Sequence, residues 1–343
     1  MSVRGKRIFV GLSGGVDSAV TAALLKQQGA TVEGVFIKGW YPEGLPCTWQ
    51  EDRRDAMRVA AALHIPFATL DAGEAYKTSV LDYLIREYKA GRTPNPDIMC
   101  NRDVKFGVFY RYAKERGADG IATGHYARTE GGKLFRGVDS RKDQSYFLWA
   151  VPKTVLTFTH FPLGSLTKEY VRVLGAKLRL PVADKKDSQG ICFLGPVSID
   201  EFLERECTVT EGVAYTAGRE VLGRHRGALL YTLGERVALS DAPPGPWYVL
   251  EKHLDTNELV VSKTRTAATS STPMHIEETN WFREELPTMC EAQYRYHGPC
   301  IPGTFIKETN IFTPSDSLTE PAASGQSLVL YKGDECFGGG IIR

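Results

Sequence analysis

An apolar segment at residues 7–12 runs straight into Gly11-Leu12-Ser13-Gly14-Gly15-Val16-Asp17-Ser18, and a helical pattern begins at once behind it. No other feature limits the fold of this chain so sharply. Val16, Val20, Ala23 and Leu24 recur at helical spacing, and Gly29 is a natural stop. Glycines between a strand and a helix let successive N–H groups point into one concavity. Ser13 and Ser18 add hydroxyl donors, and the helix aims its positive end at the same place. The octapeptide is therefore read as a phosphate cradle formed by Gly11, Leu12, Ser13, Gly14, Gly15, Val16, Asp17 and Ser18. It has neither the lysine of a Walker loop nor the Gly-x-Gly-x-x-Gly spacing of a dinucleotide fold. Asp17 beside a phosphate site reads as a ligand for magnesium carried on pyrophosphate.

The same alternation continues. Apolar runs at 32–37, 65–71 and 120–123 read as strands. Helical stripes lie between them at 48–63, 76–91 and 106–117, the first opened by a Thr48/Glu51 capping box. This is the signature of a doubly wound parallel sheet, an α/β class whose ligands sit at the carboxyl ends of the strands. Two loops interrupt it, at 93–102 with two prolines and at 183–196 with lysines and glycines. After about Cys207, glycines and short β-rich segments dominate, and 266–272 reads as a linker. The expected organisation is a catalytic domain at 1–205, a small central domain at 206–265 and a C-terminal β-barrel at 266–343.

Composition narrows the function. The 343 residues are 42% hydrophobic and 24% charged, which suits two or three folded domains and excludes a disordered chain. The net charge is only +1, so any nucleic-acid surface must be a local patch. No apolar run is long enough to span a membrane, and the amino terminus lacks a signal-peptide pattern, so the expected location is cytoplasmic. The seven cysteines contain no C-x-x-C pair, which leaves no zinc or iron–sulfur spacing. Cys100 lies in the proline-bearing loop, three residues after Asp97. Cys192 lies in a loop with Lys185 and Lys186 that favours thiolate. Together they suggest a nucleophile with its resolving partner, or a carrier and a releaser of sulfur.

The octapeptide resembles the pyrophosphate loop of the N-type ATP pyrophosphatases. That resemblance implies ATP cleavage between the α and β phosphates, with AMP left on a substrate oxygen. It narrows further through Cys47-Thr48, Ala90-Gly-Arg-Thr-Pro-Asn-Pro-Asp97 with Cys100-Asn101, Thr123-Gly-His-Tyr126, Lys142-Asp-Gln-Ser-Tyr-Phe-Leu148 and Asp187-Ser-Gln-Gly-Ile-Cys192. In this order the blocks look like the tRNA-specific 2-thiouridylase family, with looser matches at Gln293-Tyr-Arg-Tyr296 and Ser324-Gly-Gln326. Glu235 departs from it, standing where a glutamine is expected.

The resemblance implies that ATP, with Mg2+, sits over residues 11–18 with adenine near Ile37 and Gly124. A wobble uridine flipped from a tRNA anticodon attacks the α-phosphate through its C2 oxygen. Cys192 receives sulfur as a persulfide from a donor protein. Cys100 either releases that sulfur as sulfide or closes a transient Cys100–Cys192 disulfide, and Asp97 acts as a base or orients the sulfur. Asn95, Pro96, Asp97, His125, Lys142, Asp143, Gln144, Arg295, Tyr296 and Gln326 are implied tRNA contacts. Arg141, Lys142, Lys168, Arg172, Lys185, Lys186, Arg224 and Arg226 are expected to form a phosphate-contacting face. Two rivals remain. A metabolite-amidating enzyme would leave the paired cysteines without a role in a chain short for a glutaminase domain. A non-catalytic nucleotide-binding protein would release no pyrophosphate.

Overall fold

Strand Arg7–Gly11 sends Ile8 and Val10 to one side and Phe9 to the other, and all three are fully buried. A strand dry on both faces needs a layer of helices on each, and the computed structural model supplies them. It describes residues 2–41, 49–186, 197–264, 272–318 and 321–343. The five-stranded sheet is parallel, in the order Phe67–Asp71, Thr31–Lys38, Arg7–Gly11, Gly120–Ala122, Thr159–His160. Helices Val16–Gln27, Trp49–Ala62 and Lys168–Lys177 pack their apolar residues into one face. The helical stretches at 73–89 and 96–115 cover the other. From its first strand the chain steps outward on one side, then returns to Gly120–Ala122 on the other. Between Arg7–Gly11 and Gly120–Ala122 the winding reverses and opens a crevice.

The expected loop at 93–102 is corrected. A short helix, Pro96–Met99, continues without a break as a π-helical segment, Cys100–Val108, and then as Phe109–Glu115. Asn95 caps the first turn by accepting the Asp97 amide at 3.1 Å, and Pro96 occupies the position where a missing N–H costs nothing. The prolines thus start a helix instead of holding an extended loop. The Thr48 of the expected capping box lies outside the described residues.

A second sheet orders strands Arg236–Val237, Trp247–His253, Glu258–Ser262, Gly212–Tyr215 and Val221–His225. In the C-terminal region Met274–Trp281, Ile311–Pro314, Ile301–Ile306, Met289–Gln293, Ser327–Lys332 and Glu335–Ile342 follow one another antiparallel. Glu335–Ile342 pairs back onto Met274–Trp281, so six strands close a barrel. The alternation of the first half gave no sign of one element. A hairpin, Ala127–Glu130 with Lys133–Arg136, leaves the catalytic sheet and joins the barrel, pairing Leu134 with Cys336 and Phe135 with Glu335. No described helix is long and apolar enough to cross a membrane.

Candidate active site

Leu12 donates its amide to the Val35 carbonyl at 2.8 Å, so sheet pairing holds up to the residue before the turn. Beyond it the loop is tied by hydroxyls. The Ser13 amide donates to Ser18 Oγ at 3.1 Å, the Ser13 and Ser18 hydroxyls meet at 3.2 Å, and Ser18 Oγ donates to the Gly15 carbonyl at 3.1 Å. Gly14 has φ of +78°, and a Cβ there would lie 2.4 Å from the Asp52 carbonyl oxygen. Gly15 begins helix Val16–Gln27 without a side-chain cap, which leaves first-turn N–H groups to an anion.

The opposite wall of the crevice is the turn after Gly120–Ala122. A Cβ on Gly124 would stand 2.9 Å from the Asp17 carbonyl carbon and the Ser18 amide nitrogen, so only glycine lets this backbone rest on the loop. Half-buried Ile37 lies at the same carboxyl edge, near the end of Thr31–Lys38. All the expected ATP-binding positions therefore share one edge of one sheet.

Asp17 has partners that the sequence does not show. Its carboxylate accepts the Lys168 ammonium on both oxygens, at 2.8 and 2.7 Å, and the Tyr126 hydroxyl at 2.8 Å. Any magnesium carried on the nucleotide would share this carboxylate with Lys168. Among the described residues there is no cluster of three acidic, histidine or cysteine groups able to hold a metal.

The helix carrying Cys100 is locked to this crevice. Phe109 packs 3.6 Å from where a Gly11 Cβ would be, and the Phe106 ring lies 5.5 Å from the His125 ring. Cys100 is buried, with 3% of its surface exposed, and Asp97 sits one turn before it. Burial raises the Asp97 carboxyl above its ordinary value, with the Lys105 ammonium working against the rise. A carboxyl so placed accepts a proton more readily than an exposed aspartate. Asn101 donates to the Phe147 carbonyl at 3.2 Å. Cys192, the rest of its motif and Cys47 lie outside the described residues.

Several expected RNA contacts are committed to the protein itself. His125 is buried and shares a 2.7 Å hydrogen bond with Thr123 Oγ1, and burial pushes its ring well below the usual histidine value. It braces the crevice from inside, against Phe106 and Phe161. Asp143 is buried too, accepting from the Gly137 and Ser145 amides, the Ser145 hydroxyl and Arg136. Gln144 accepts the Tyr126 amide at 3.0 Å. Gln326 donates to the Thr93 carbonyl, and Asn95 is a helix cap. Pro96 is buried. Lys142, Arg295 and Tyr296 stay half-exposed, the Tyr296 ring 4.2 Å from that of Phe147.

The expected basic face is also largely spent on ion pairs. Lys185 binds Asp52 and Asp55, Arg141 binds Glu169, Arg226 binds Glu204 and Asp200, and Arg224 reaches Glu211. Arg172 donates to the Ala183 carbonyl. Lys186 is exposed. Sequence placed Lys168 on that face, and its link to the phosphate loop went unseen because it arises 151 residues from Asp17.

A glycine loop at the switch point of a parallel sheet, with two β modules behind it, defines a nucleotide-binding protein of the HUP class. The family model described as tRNA methyl transferase HUP domain matches residues 6–196. The tRNA methyl transferase PRC-barrel domain matches 200–263, and the aminomethyltransferase beta-barrel domain matches 271–342. The chain is 41% identical to the tRNA-specific 2-thiouridylase MnmA of Geobacillus thermodenitrificans, covering 98% of this chain and 94% of that one. It is 40% identical to the protein of that name from Chromohalobacter salexigens, covering 98% and 92%. The chain belongs to the tRNA-specific 2-thiouridylase family.

Proposed function

We propose that this chain is a tRNA-uridine 2-sulfurtransferase of the cytoplasm, using ATP to exchange the C2 oxygen of a wobble uridine for sulfur. One observation carries the reading. The loop Gly11–Ser18 rests on the Gly124 turn, and Phe106 and Phe109, on the helical run that begins at Pro96 and carries Cys100, pack against His125 and Gly11 at the switch-point crevice, which supports a reading in which nucleotide and thiol chemistry meet there.

ATP lies with its phosphates over residues 11–18 and its adenine toward Ile37 and Gly124. The uridine, taken out of its stack, enters beside Asn95, Pro96 and Asp97. Its C2 oxygen attacks the α-phosphate. The bond from that phosphorus to the oxygen bridging it to the β-phosphate breaks, and the electron pair leaves on pyrophosphate. The N3 proton passes to Asp97, whose burial suits it to hold one; alternatively Asp97 orients the incoming sulfur. Magnesium would travel with the ATP phosphates and screen their charge. Asp17 is held by Lys168, so no step here is assigned to a protein-bound metal.

Cys192 carries the outer sulfur of a persulfide delivered by a donor protein. In one route that sulfur attacks C2, AMP departs, and the Cys100 thiolate then cleaves the S–S bond, leaving sulfur on the base. In the other, Cys100 first releases the sulfur as hydrosulfide, which displaces AMP. Both routes are two-electron and end in a Cys100–Cys192 disulfide that a thiol reductant reopens. Half-exposed Arg295 and Tyr296 provide a stacking surface for unpaired anticodon bases.

The test is incubation of the protein with ATP, unmodified tRNA and a persulfide donor. Pyrophosphate, AMP and 2-thiouridine should form in equal amounts. ATP cleavage that needs a small nucleotide and ammonia but no tRNA would favour the amidating enzyme.

A further inference from the structure

Arg136 ends the hairpin that leaves the catalytic sheet, and its guanidinium carbon stands 3.6 Å from the centroid of the Tyr331 ring, on a barrel strand. From that seat it donates in two directions. One nitrogen reaches Asp143 Oδ2 at 3.2 Å and Gln293 Oε1 at 3.4 Å, and the other reaches Cys300 Sγ at 2.9 Å. A planar fork of N–H donors can serve all of these while its face stays on a ring, and an ammonium cannot.

The two oxygens belong to residues that brace chain segments of their own. Asp143 accepts the Gly137 and Ser145 amides at 2.9 and 3.1 Å, which fixes the turn that presents Lys142 and leads into Phe147. Gln293 donates its amide to the Arg295 and Gly298 carbonyls at 3.0 and 3.4 Å. Inside that second turn His297 holds φ of +57°, a left-handed backbone that a residue other than glycine adopts only when its surroundings impose it. The two braced segments meet, with the Tyr296 and Phe147 ring centroids 4.2 Å apart.

We infer that Arg136 is a positioning residue for tRNA: through Asp143 and Gln293 it sets the spacing between the Lys142 segment of the catalytic domain and the Arg295–Tyr296 turn of the barrel. Its donors are directed into the protein, so it acts on RNA through these two segments. The inference rests on the tRNA reading above.

The test is binding of an unmodified tRNA transcript with a wobble uridine to the full-length protein and its variants, with ATP affinity measured alongside. Arg136→Met should weaken tRNA about tenfold and leave ATP within about twofold of the parent. Tyr296→Ala alone should weaken tRNA about tenfold, as for one lost base stack, but by less than about threefold when added to Arg136→Met, because the ring has already lost its place. Lys142→Ala should show the same shortfall. Gln293→Met keeps the Arg136–Asp143 pair, so it should be non-additive with Tyr296→Ala and additive with Lys142→Ala, a pattern that general loss of structure does not produce. Full additivity of Arg136→Met with both contact variants would overturn the inference, as would equal weakening of ATP and tRNA in Gln293→Met. A parent protein that binds no tRNA would instead remove the functional reading on which it stands.

Discussion

Gln326, in the C-terminal barrel, donates its side-chain amide to the carbonyl of Thr93 at 2.9 Å, across 233 positions of sequence. The Thr93 amide in turn donates to the Ser324 carbonyl at 2.8 Å. Thr93 stands two residues before the Asn95 cap, so the barrel fixes where the Cys100 helix begins. Gln326→Ala should slow single-turnover thiolation several-fold while costing only about 1 kcal/mol of stability, the usual worth of one such bond. Faster hydrogen exchange at residues 93–99 would accompany it. Unchanged exchange there would show that the clamp does not set the helix start.

Gly124→Ala places a methyl 2.9 Å from the backbone of Asp17 and Ser18. The loop has to move away from the turn, and overpacking of this kind costs about 1–3 kcal/mol. ATP affinity should fall about tenfold or more, measured by equilibrium dialysis, with tRNA affinity close to the parent's.

Lys252 gives the pH prediction. Burial pulls its ammonium down to about 8, against the opposing pull of Glu235, and it donates to the Tyr231 carbonyl. Below about pH 8 both folded and unfolded chains carry the proton, so folding buries a charge. From there up to the ordinary lysine value the unfolded chain binds more protons than the folded one, and stability from this group rises with pH. Lys252→Met should therefore stabilise the protein by roughly 1–2 kcal/mol at neutral pH, and the gain should shrink toward pH 10. Urea unfolding at both pH values checks the sign.

Cys192→Ser should abolish 2-thiouridine formation yet still release pyrophosphate when ATP and tRNA are mixed, and Cys100→Ser should do the same. Rapid-quench measurement of both products separates the steps. Equal loss of pyrophosphate and thiolated product in Cys192→Ser would contradict its role as the sulfur carrier.

The catalytic sheet was legible because each element carries its own period. Ile8, Phe9 and Val10 demand two dry faces, and Gly11–Ser18 can serve only as a strand-to-helix turn. What escaped the sequence depends on partners far along the chain. Nothing near Lys133–Arg136 says that its partner is Glu335–Ile342. His125 and Asp143 have the polarity of contact residues, and only their surroundings show that they brace the protein from within. At Pro94-Asn95-Pro96 the error was local. A proline after a cap residue marks a helix start as readily as a loop, and Asn95 was the deciding signal.

The central claim is that AMP is attached to the very oxygen that sulfur replaces. Transfer RNA carrying oxygen-18 at C2 of the wobble uridine tests this in one turnover. The account predicts one labelled oxygen in the phosphate of the AMP produced and none in pyrophosphate or water. Unlabelled AMP alongside thiolated tRNA would contradict it.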